Sequence, residues 1–133
     1  MNVADASAFE GAGWTPDLTE ELKTAGTNGR VGSEMVSESD RARVWLISLE
    51  PGERLPFHTH VLDYFWVATS PGKAMSRYAD GTVAEVSYRV GDTKHFRFEA
   101  GQSMTHDLQN VGDAVLTFTT VEYLDSANAP LHI

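Results

Sequence analysis

Two histidines separated by one residue stand in the stretch RLPFHTHVLDYFWVAT, residues 54–69. Side chains at positions i and i+2 of a β-strand lie on the same face, so His58 and His60 would point to the same side. The aromatic and aliphatic run that follows them indicates that this side is the core. Buried ring nitrogens need partners, and imidazoles that share a metal ion satisfy that need. A chance HxH spacing is the alternative.

A third histidine lies in the segment SMTHDLQN, residues 103–110. Strand alternation places His106 on one face with Met104 and Leu108, and the polar residues between them on the other face. His106 is therefore expected to point inward, although a satisfied core or surface histidine would fit the same pattern. Together the three residues predict one divalent metal ion per chain, held by His58, His60 and His106.

The other two histidines are not expected to join this set. His95 alternates with Arg97 and Glu99 on the polar side of its strand, and His132 is one residue from the last position. Both are interpreted as surface residues.

The composition excludes several classes of function. The chain has 133 residues, a formal net charge of −9 and no cysteine, so thiolate metal sites and disulfides are ruled out. The acidity and the lack of a Lys/Arg cluster argue against nucleic acid as a partner. No run reaches the length of a membrane span, and the first fourteen residues lack the pattern of a signal peptide. A cytoplasmic protein with a small-molecule substrate is expected.

The pattern from residue 31 onward is all-β. Short runs of β-branched, aromatic and alternating residues are separated every eight to twelve positions by turn residues, which predicts a sandwich or a barrel. The Asp80-Gly81 pair predicts a two-residue hairpin loop. The predicted strands are 31–37, 42–49, 55–59, 64–69, 73–78, 82–89, 94–98, 104–109 and 115–124.

Residues 1–30 differ from the rest and are predicted to form an N-terminal arm, irregular or in part helical, ahead of a single barrel domain at 31–133. In TPDLTEELKTAG, residues 15–26, Thr15 is a plausible N-cap, Pro16 a first helical residue and Gly26 a C-cap.

The two histidine segments resemble the two motifs of small single-domain cupins. In GERLPFHTHVLDYFWVATSPG, residues 52–72, five residues separate Gly52 from His58, and His60 completes the first motif. The second motif is matched by GDTKHFRFEAGQSMTHDLQN, residues 91–110. The resemblance covers about residues 40–123. It implies a double-stranded β-helix, that is, a jelly-roll barrel, commonly a homodimer, with one metal held by the HxH pair, a glutamate and the later histidine.

The sequence departs from that pattern at the glutamate, which should follow His60 by four or five residues. Tyr64 and Phe65 stand there instead. Asp63, the nearest carboxylate, has the opposite strand parity and would face the metal only through a bulge. It would more readily orient a histidine or hold a neighbouring strand. Tyr64 has the inward parity, either as a residue that contacts the substrate or as an ordinary core tyrosine.

A further departure is in the second motif, where Glu99 replaces the usual proline and four residues, rather than two, separate Gly101 from His106. The site thus resembles a three-histidine cupin, a group that includes iron dioxygenases. That resemblance implies an Fe(II) dioxygenase-like enzyme acting on a small organic molecule, with Zn, Ni, Mn or Cu as other possible ions. The alternatives are an isomerase, epimerase or lyase that uses the ion as a Lewis acid, and a non-catalytic small-ligand-binding module.

Several other side chains are candidates for the substrate cavity. An anionic substrate could be gripped by Arg43, Arg77 or Arg97, although each is more commonly a surface ion-pair partner. Aromatic residues on inward faces would line the cavity. Those considered are Phe65, Trp66, Phe96, Phe98 and Phe118.

Overall fold

A computed structural model describes residues 6–133 as two antiparallel β-sheets packed face to face. The strands are β1 (Glu34–Glu38), β2 (Ala42–Leu49), β3 (Arg54–His60), β4 (Tyr64–Ala68), β5 (Gly72–Arg77), β6 (Val83–Tyr88), β7 (Thr93–Phe96), β8 (Met104–Asn110) and β9 (Leu116–Tyr123). One sheet has the order β1-β2-β9-β4-β7 and the other the order β3-β8-β5-β6. The predicted all-β jelly-roll architecture is confirmed.

Each predicted strand is present, with ends that differ by at most three residues. The largest difference is at β1, which begins at Glu34 because residues 31–33 pass close to β2 without forming a ladder. A Cβ atom at Gly32 would meet the Cβ of Trp45 at 2.6 Å, so this crossing requires glycine.

The apolar core fills one end of the space between the sheets. The strand register shows this, since Leu49 lies opposite Leu116 and Leu55 opposite Leu108, whereas the histidines lie further along β3 and β8. Burial of this cluster is the main stabilising term of the barrel. Its fully buried members are Ile47, Leu49, Leu55, Ala68, Ala74, Leu108, Leu116 and Phe118.

The β5–β6 hairpin differs from the prediction. Its loop has three residues instead of two, because Tyr78 and Thr82 still pair through a 2.9 Å bond from the Tyr78 N–H. Gly81 donates to the Tyr78 carbonyl and has a φ of 91°, as in a turn followed by a left-handed residue. A side chain at Gly81 would also meet Ala8 at 2.5 Å, because the N-terminal arm crosses this loop.

The N-terminal segment contains 3₁₀ turns at Ala6–Phe9 and Ala25–Thr27 and one α-helix, α1, at Pro16–Leu22. The predicted start is confirmed: the Thr15 side chain accepts a 3.3 Å hydrogen bond from the Leu18 N–H. The predicted end is wrong. The last helical residue is Leu22, and the C-cap is Lys23 rather than Gly26, which lies in the following 3₁₀ turn; the Lys23 N–H donates to the carbonyls of Glu20 and Glu21.

This segment covers the outer face of β3 and β8. Trp14 stacks on Phe57 with ring centroids 5.6 Å apart. The Thr59 hydroxyl donates to the Ala25 carbonyl at 2.7 Å and lies 2.6 Å from the Thr105 hydroxyl on the paired strand. The N-terminal segment therefore shields the outer face of the histidine strands from solvent. The division at residue 30 stays a prediction, and residues 1–5 of the predicted arm lie outside the described residues.

Glu21 of α1 makes a charged contact between the N-terminal segment and β3. Its carboxylate binds the Arg54 guanidinium through two oxygens, one of them 3.0 Å from Nη1, and accepts the Phe57 N–H at 2.9 Å. The bond from Arg54 lowers the Glu21 pKa. Arg54 also donates to Asp107 of β8 at 2.6 Å, so one arginine joins α1, β3 and β8.

Within residues 6–133 the helices are too short and too polar to cross a membrane.

Glu21→Gln should lower the free energy of unfolding by about 1 kcal/mol at neutral pH, since a charged bond to Arg54 is replaced by a neutral one at a partly exposed site. A depressed carboxyl pKa contributes stability above its ordinary value of 4.5, which is lost as the pH falls through the folded value. Glu21→Gln should therefore lack this part of the loss of stability at acidic pH. Urea titrations at neutral and acidic pH measure both effects. Glu20→Gln is the matched control, because the Glu20–Lys23 pair is exposed. Equal losses in the two variants would contradict the assignment.

Candidate metal centre

A β-bulge in β3 sets the direction of the histidines. Leu55 lies opposite Leu108 and His58 opposite His106, so β3 uses three steps where β8 uses two. The extra residue reverses the parity of the strand: Leu55 and His58 both line the inner cavity, while Phe57 between them turns to the outside. Strand alternation alone missed this bulge. Pro56 was the available signal, because proline within a strand favours bulges and edges.

The bulge brings the three histidines together on the inner wall. His58, His60 and His106 each offer a ring nitrogen, and these three atoms all lie within 4.8 Å of one another. The Nε2 atoms of His60 and His106 are 3.2 Å apart. Among the described residues the cluster contains no carboxylate. Sequence reasoning predicted this convergence, including the inward direction of His106.

The ring nitrogens fit a bound cation. His58 Nδ1 is 2.8 Å from the Pro56 carbonyl, which assigns the proton to Nδ1 and leaves the Nε2 lone pair free. The Nδ1 atoms of His60 and His106 are buried and have no hydrogen-bond partner within the described chain. Buried polar atoms without partners are rare in clusters that serve stability alone. Three neutral imidazoles are a donor set suited to zinc, copper, iron or nickel.

Burial keeps these rings neutral. It lowers the pKa of His58 to about 4, and the Asp107 charge and the Pro56 bond only partly offset it. Burial, reinforced by His58, also holds the pKa values of His60 and His106 well below the usual range. A neutral imidazole has the free lone pair that a metal needs, so no deprotonation is required near neutral pH.

Behind the cluster is a buried ionic network that the sequence did not indicate. Asp107, expected on a polar surface, is fully buried. It accepts the Arg77 N–H and Nη1 at 2.7 Å each and Arg54 Nε at 2.6 Å. Because Asp107 follows His106 directly and Arg54 starts β3, these bonds hold the two histidine strands in register.

The arginines predicted for substrate binding are elsewhere. Arg77 is not a surface residue, since it is buried against Asp107. Arg43 pairs with Glu38 at 2.6 Å, and Arg97 is exposed. None of the three lines the cavity. As predicted, His95 and His132 are exposed.

Asp63 holds strands together. Its Oδ1 accepts the Phe98 N–H at 2.8 Å, and its backbone bonds Tyr123 and Ser126 at 2.9 Å each. The carboxylate therefore anchors the start of β4 to the segment after β7, and it is outside the histidine group.

Tyr64 is buried and faces inward, as its parity predicted. Its ring stacks on His60 at 4.0 Å with 9° between the planes, and on Phe96 at 4.5 Å. Burial raises the pKa of the phenol, with Tyr78 and Glu122 adding to the effect. The hydroxyl therefore stays protonated and can donate a hydrogen bond.

The cavity beside the histidines has a volume of about 640 Å³, within the range of small-molecule sites. Trp66, Phe96 and Phe118 line it, as predicted for inward aromatic residues, whereas Phe65 and Phe98 do not. Lys94 is a lining residue that sequence reasoning missed. Lys94 lies opposite Trp66 in the β4–β7 pair, and this pairing would have placed it at the cavity. The strand register that sets the pairing cannot be deduced from the sequence alone.

Glu122 was also missed. It is buried and accepts a 2.7 Å hydrogen bond from the Trp45 indole N–H. Burial raises its pKa. Strand alternation on β9 could have found it, since it shares the inward parity of Phe118 and Thr120.

Comparison with solved structures agrees with this architecture. A cupin domain from Bordetella pertussis Tohama I is 19% identical, with 68% of this chain and 88% of that chain covered and a TM-score of 0.59. A double-stranded β-helix protein from Klebsiella pneumoniae is 20% identical, with 84% and 95% covered and a TM-score of 0.56. A cupin family protein from Methanocaldococcus jannaschii is 18% identical, with 71% and 84% covered and a TM-score of 0.53.

These similarities establish the fold: the protein is a small single-chain barrel of the cupin fold. No protein-family model and no curated protein sequence matches the chain. The three-histidine cluster on the inner wall of such a barrel, with His58 and His60 buried and His106 half-buried, supports a divalent metal site whose metal is not identified.

His58→Ala, His60→Ala and His106→Ala should each reduce metal content well below one ion per chain, because each removes a converging lone pair. His95→Ala should leave the content unchanged. Elemental analysis of protein purified without a histidine tag measures it, with zinc and cobalt reconstitution as a second readout. Loss of metal in His95→Ala with retention in His106→Ala would show that a different set of histidines binds the ion.

The metal-free protein should lose stability as the pH falls below the ordinary histidine pKa of 6.5. The histidines become protonated in the unfolded chain, whereas the buried rings of the folded protein stay neutral. The loss is about 1.4 kcal/mol per pH unit for each ring that stays neutral, and for His58 it continues to about pH 4. Urea titrations across this range measure the slope. His106→Gln should flatten it and His95→Gln should not; an unchanged slope in His106→Gln would contradict the burial of a neutral ring.

Proposed function

We propose that the protein is a metal-dependent enzyme that acts on a small organic molecule, with a dioxygenase-like reaction at an Fe(II) site formed by His58, His60 and His106. The observation that carries the proposal is the group of three neutral imidazoles, two buried and His106 half-buried, beside a largely apolar cavity. A bound Fe(II) ion would supply Lewis acidity and one-electron redox chemistry. Three neutral ligands leave its positive charge uncompensated, which favours an anionic substrate.

The residues around the cluster orient the ligands and exclude water. The Pro56 carbonyl fixes the tautomer of His58, and the stacked ring of Tyr64 limits rotation of His60. Apolar side chains on the cavity wall lower the local dielectric constant, which strengthens polar contacts with a bound substrate.

Tyr64 is proposed to donate a hydrogen bond to a substrate oxygen. It faces the cavity next to His60, no hydrogen bond to its hydroxyl forms within the described chain, and its raised pKa keeps the proton in place. Because the phenol stays protonated, Tyr64 offers no phenolate that could take up a proton at neutral pH. The second candidate function is an isomerase, epimerase or lyase in which the ion is only a Lewis acid and Tyr64 transfers the proton. The protonated state of Tyr64 makes this candidate weaker than the dioxygenase-like one.

The first experiment measures iron, zinc, nickel, manganese and copper per chain, followed by oxygen uptake with thiols, diketones and small organic acids. We expect near-stoichiometric iron and oxygen consumption that is lost in His106→Ala. Mostly zinc or nickel, with turnover that is independent of oxygen, would favour Lewis-acid chemistry. Failure to bind any metal after reconstitution would leave a non-catalytic small-ligand-binding module.

Tyr64→Phe and Asp63→Asn test which residue takes the place of the expected glutamate. Tyr64→Phe should keep the metal and lower kcat/KM by roughly tenfold or more, the loss expected for one hydrogen-bond donor at a reacting oxygen. Asp63→Asn should keep the metal and lower stability, because it weakens the bond to the Phe98 N–H. Metal content, turnover and urea unfolding separate the two. Loss of metal in Asp63→Asn would make Asp63 a ligand and contradict this assignment.

A homodimer and a cytoplasmic location stay predictions, as does the absence of nucleic-acid and membrane partners.

A further inference from the structure

The wall of the cavity is largely aromatic. Besides the histidines, its rings come from both sheets, and several pack edge to face, such as Trp66 with Tyr88 at 5.4 Å. Walls of this kind bind flat apolar groups. The lining rings are Tyr64, Trp66, Tyr78, Tyr88, Phe96 and Phe118.

The polar groups that face this space are mainly hydrogen-bond donors. Tyr78 and Tyr88 line it, and burial raises the pKa of the Tyr88 phenol to about 12, so that phenol keeps its proton. Asp92 is the one carboxylate among the described lining residues, and its Oδ2 already accepts the Arg89 N–H at 2.8 Å. A ligand that satisfies such a wall is rich in acceptor oxygens.

Lys94 is the one lysine or arginine among the described lining residues. Its side chain is exposed at the rim, and no carboxylate in the described part of the chain forms an ion pair with it. Its Nζ lies 5.0 Å from the centroid of the Phe96 ring. In a chain of net charge −9, this cation therefore has an aromatic neighbour but no carboxylate partner among the described residues.

A series of ring contacts connects Lys94 with the histidines. His60 stacks on Tyr64 at 4.0 Å, Tyr64 stacks on Phe96 at 4.5 Å, and Lys94 lies over Phe96. Two rings therefore separate the rim cation from the metal-site histidine. A ligand that reaches both points would lie along this stack of rings.

We propose that the cavity binds a small aromatic carboxylic acid, with the carboxylate on Lys94 at the rim and the opposite end toward His58, His60 and His106. This inference deepens the proposed function and rests on it for the orientation of the reacting end. Lys94 is a specificity-determining residue in this arrangement. The aromatic wall contacts the ring, and the ammonium selects the anion over a neutral analogue.

The test compares 3-phenylpropanoate with its uncharged isostere 3-phenylpropanamide by isothermal titration calorimetry on the full-length zinc-loaded protein. We expect the acid to bind about threefold to tenfold more tightly than the amide, the range for one partly exposed ion pair. Lys94→Met should abolish the difference. Lys73→Met is the matched control and should retain it, because Lys73 pairs with Glu85 and does not line the cavity. Butanoate, which lacks the ring, should bind more weakly than 3-phenylpropanoate.

Three results would overturn the proposal: equal or absent binding of acid and amide to the wild-type protein, preference for the acid that persists in Lys94→Met, or butanoate binding as tightly as the aromatic acid. Preference that is lost in His106→Ala but kept in Lys94→Met would mean that the carboxylate binds the metal instead. Iron content and oxygen uptake are measured in parallel on iron-reconstituted samples of the wild-type protein and the same variants. Full metal content and turnover without acid preference would reject the Lys94 assignment alone, while acid preference in a chain that takes up no metal would reject the proposed enzyme.

Discussion

The site depends on one extra residue in β3. In a regular strand, Leu55 and His58 would lie on opposite faces, so a chain could place either the core leucine or the histidine pair inward, but not both. The bulge between them resolves this conflict: Leu55 joins the apolar core while His58 and His60 face the cavity. The inward direction of His58 and His60, and so their approach to His106, follows from that change of parity.

A bulge leaves backbone groups without ladder partners, and their partners here are informative. Proline at position 56 has no N–H to satisfy, and its carbonyl accepts the His58 Nδ1 proton. The free N–H of Phe57 is bound by Glu21 of α1, across the surface of the barrel. The N-terminal helix therefore stabilises the distortion that turns the histidines inward. The same irregular strand therefore contacts the histidine cluster on its inner face and the N-terminal helix on its outer face.

Local patterns predicted much of this structure, and several of the failures share one cause. The nine strands follow from alternation and turn residues, and the helix start follows from Thr15 and Pro16. The errors at Arg77, Asp107 and the bulge all depend on what covers the outer face of β3 and β8. A polar residue on the strand face away from the core is predicted to be exposed unless another segment is known to cover that face. The ion pairs that make burial of Asp107 tolerable come from residues 53 and 30 positions away.

The missing glutamate is best understood through charge. A carboxylate ligand would reduce the charge of a bound cation, and the residues at the expected place cannot do so: Tyr64 stays neutral, and Asp63 binds the Phe98 N–H. The buried Glu122 has a raised pKa and bonds to Trp45 rather than to a histidine. The lining of the cavity therefore combines three neutral imidazoles, phenols, the Asp92 carboxylate and the Lys94 ammonium. A cation held by neutral ligands gains most from a ligand that brings the negative charge itself, which is the reason for proposing an anionic substrate.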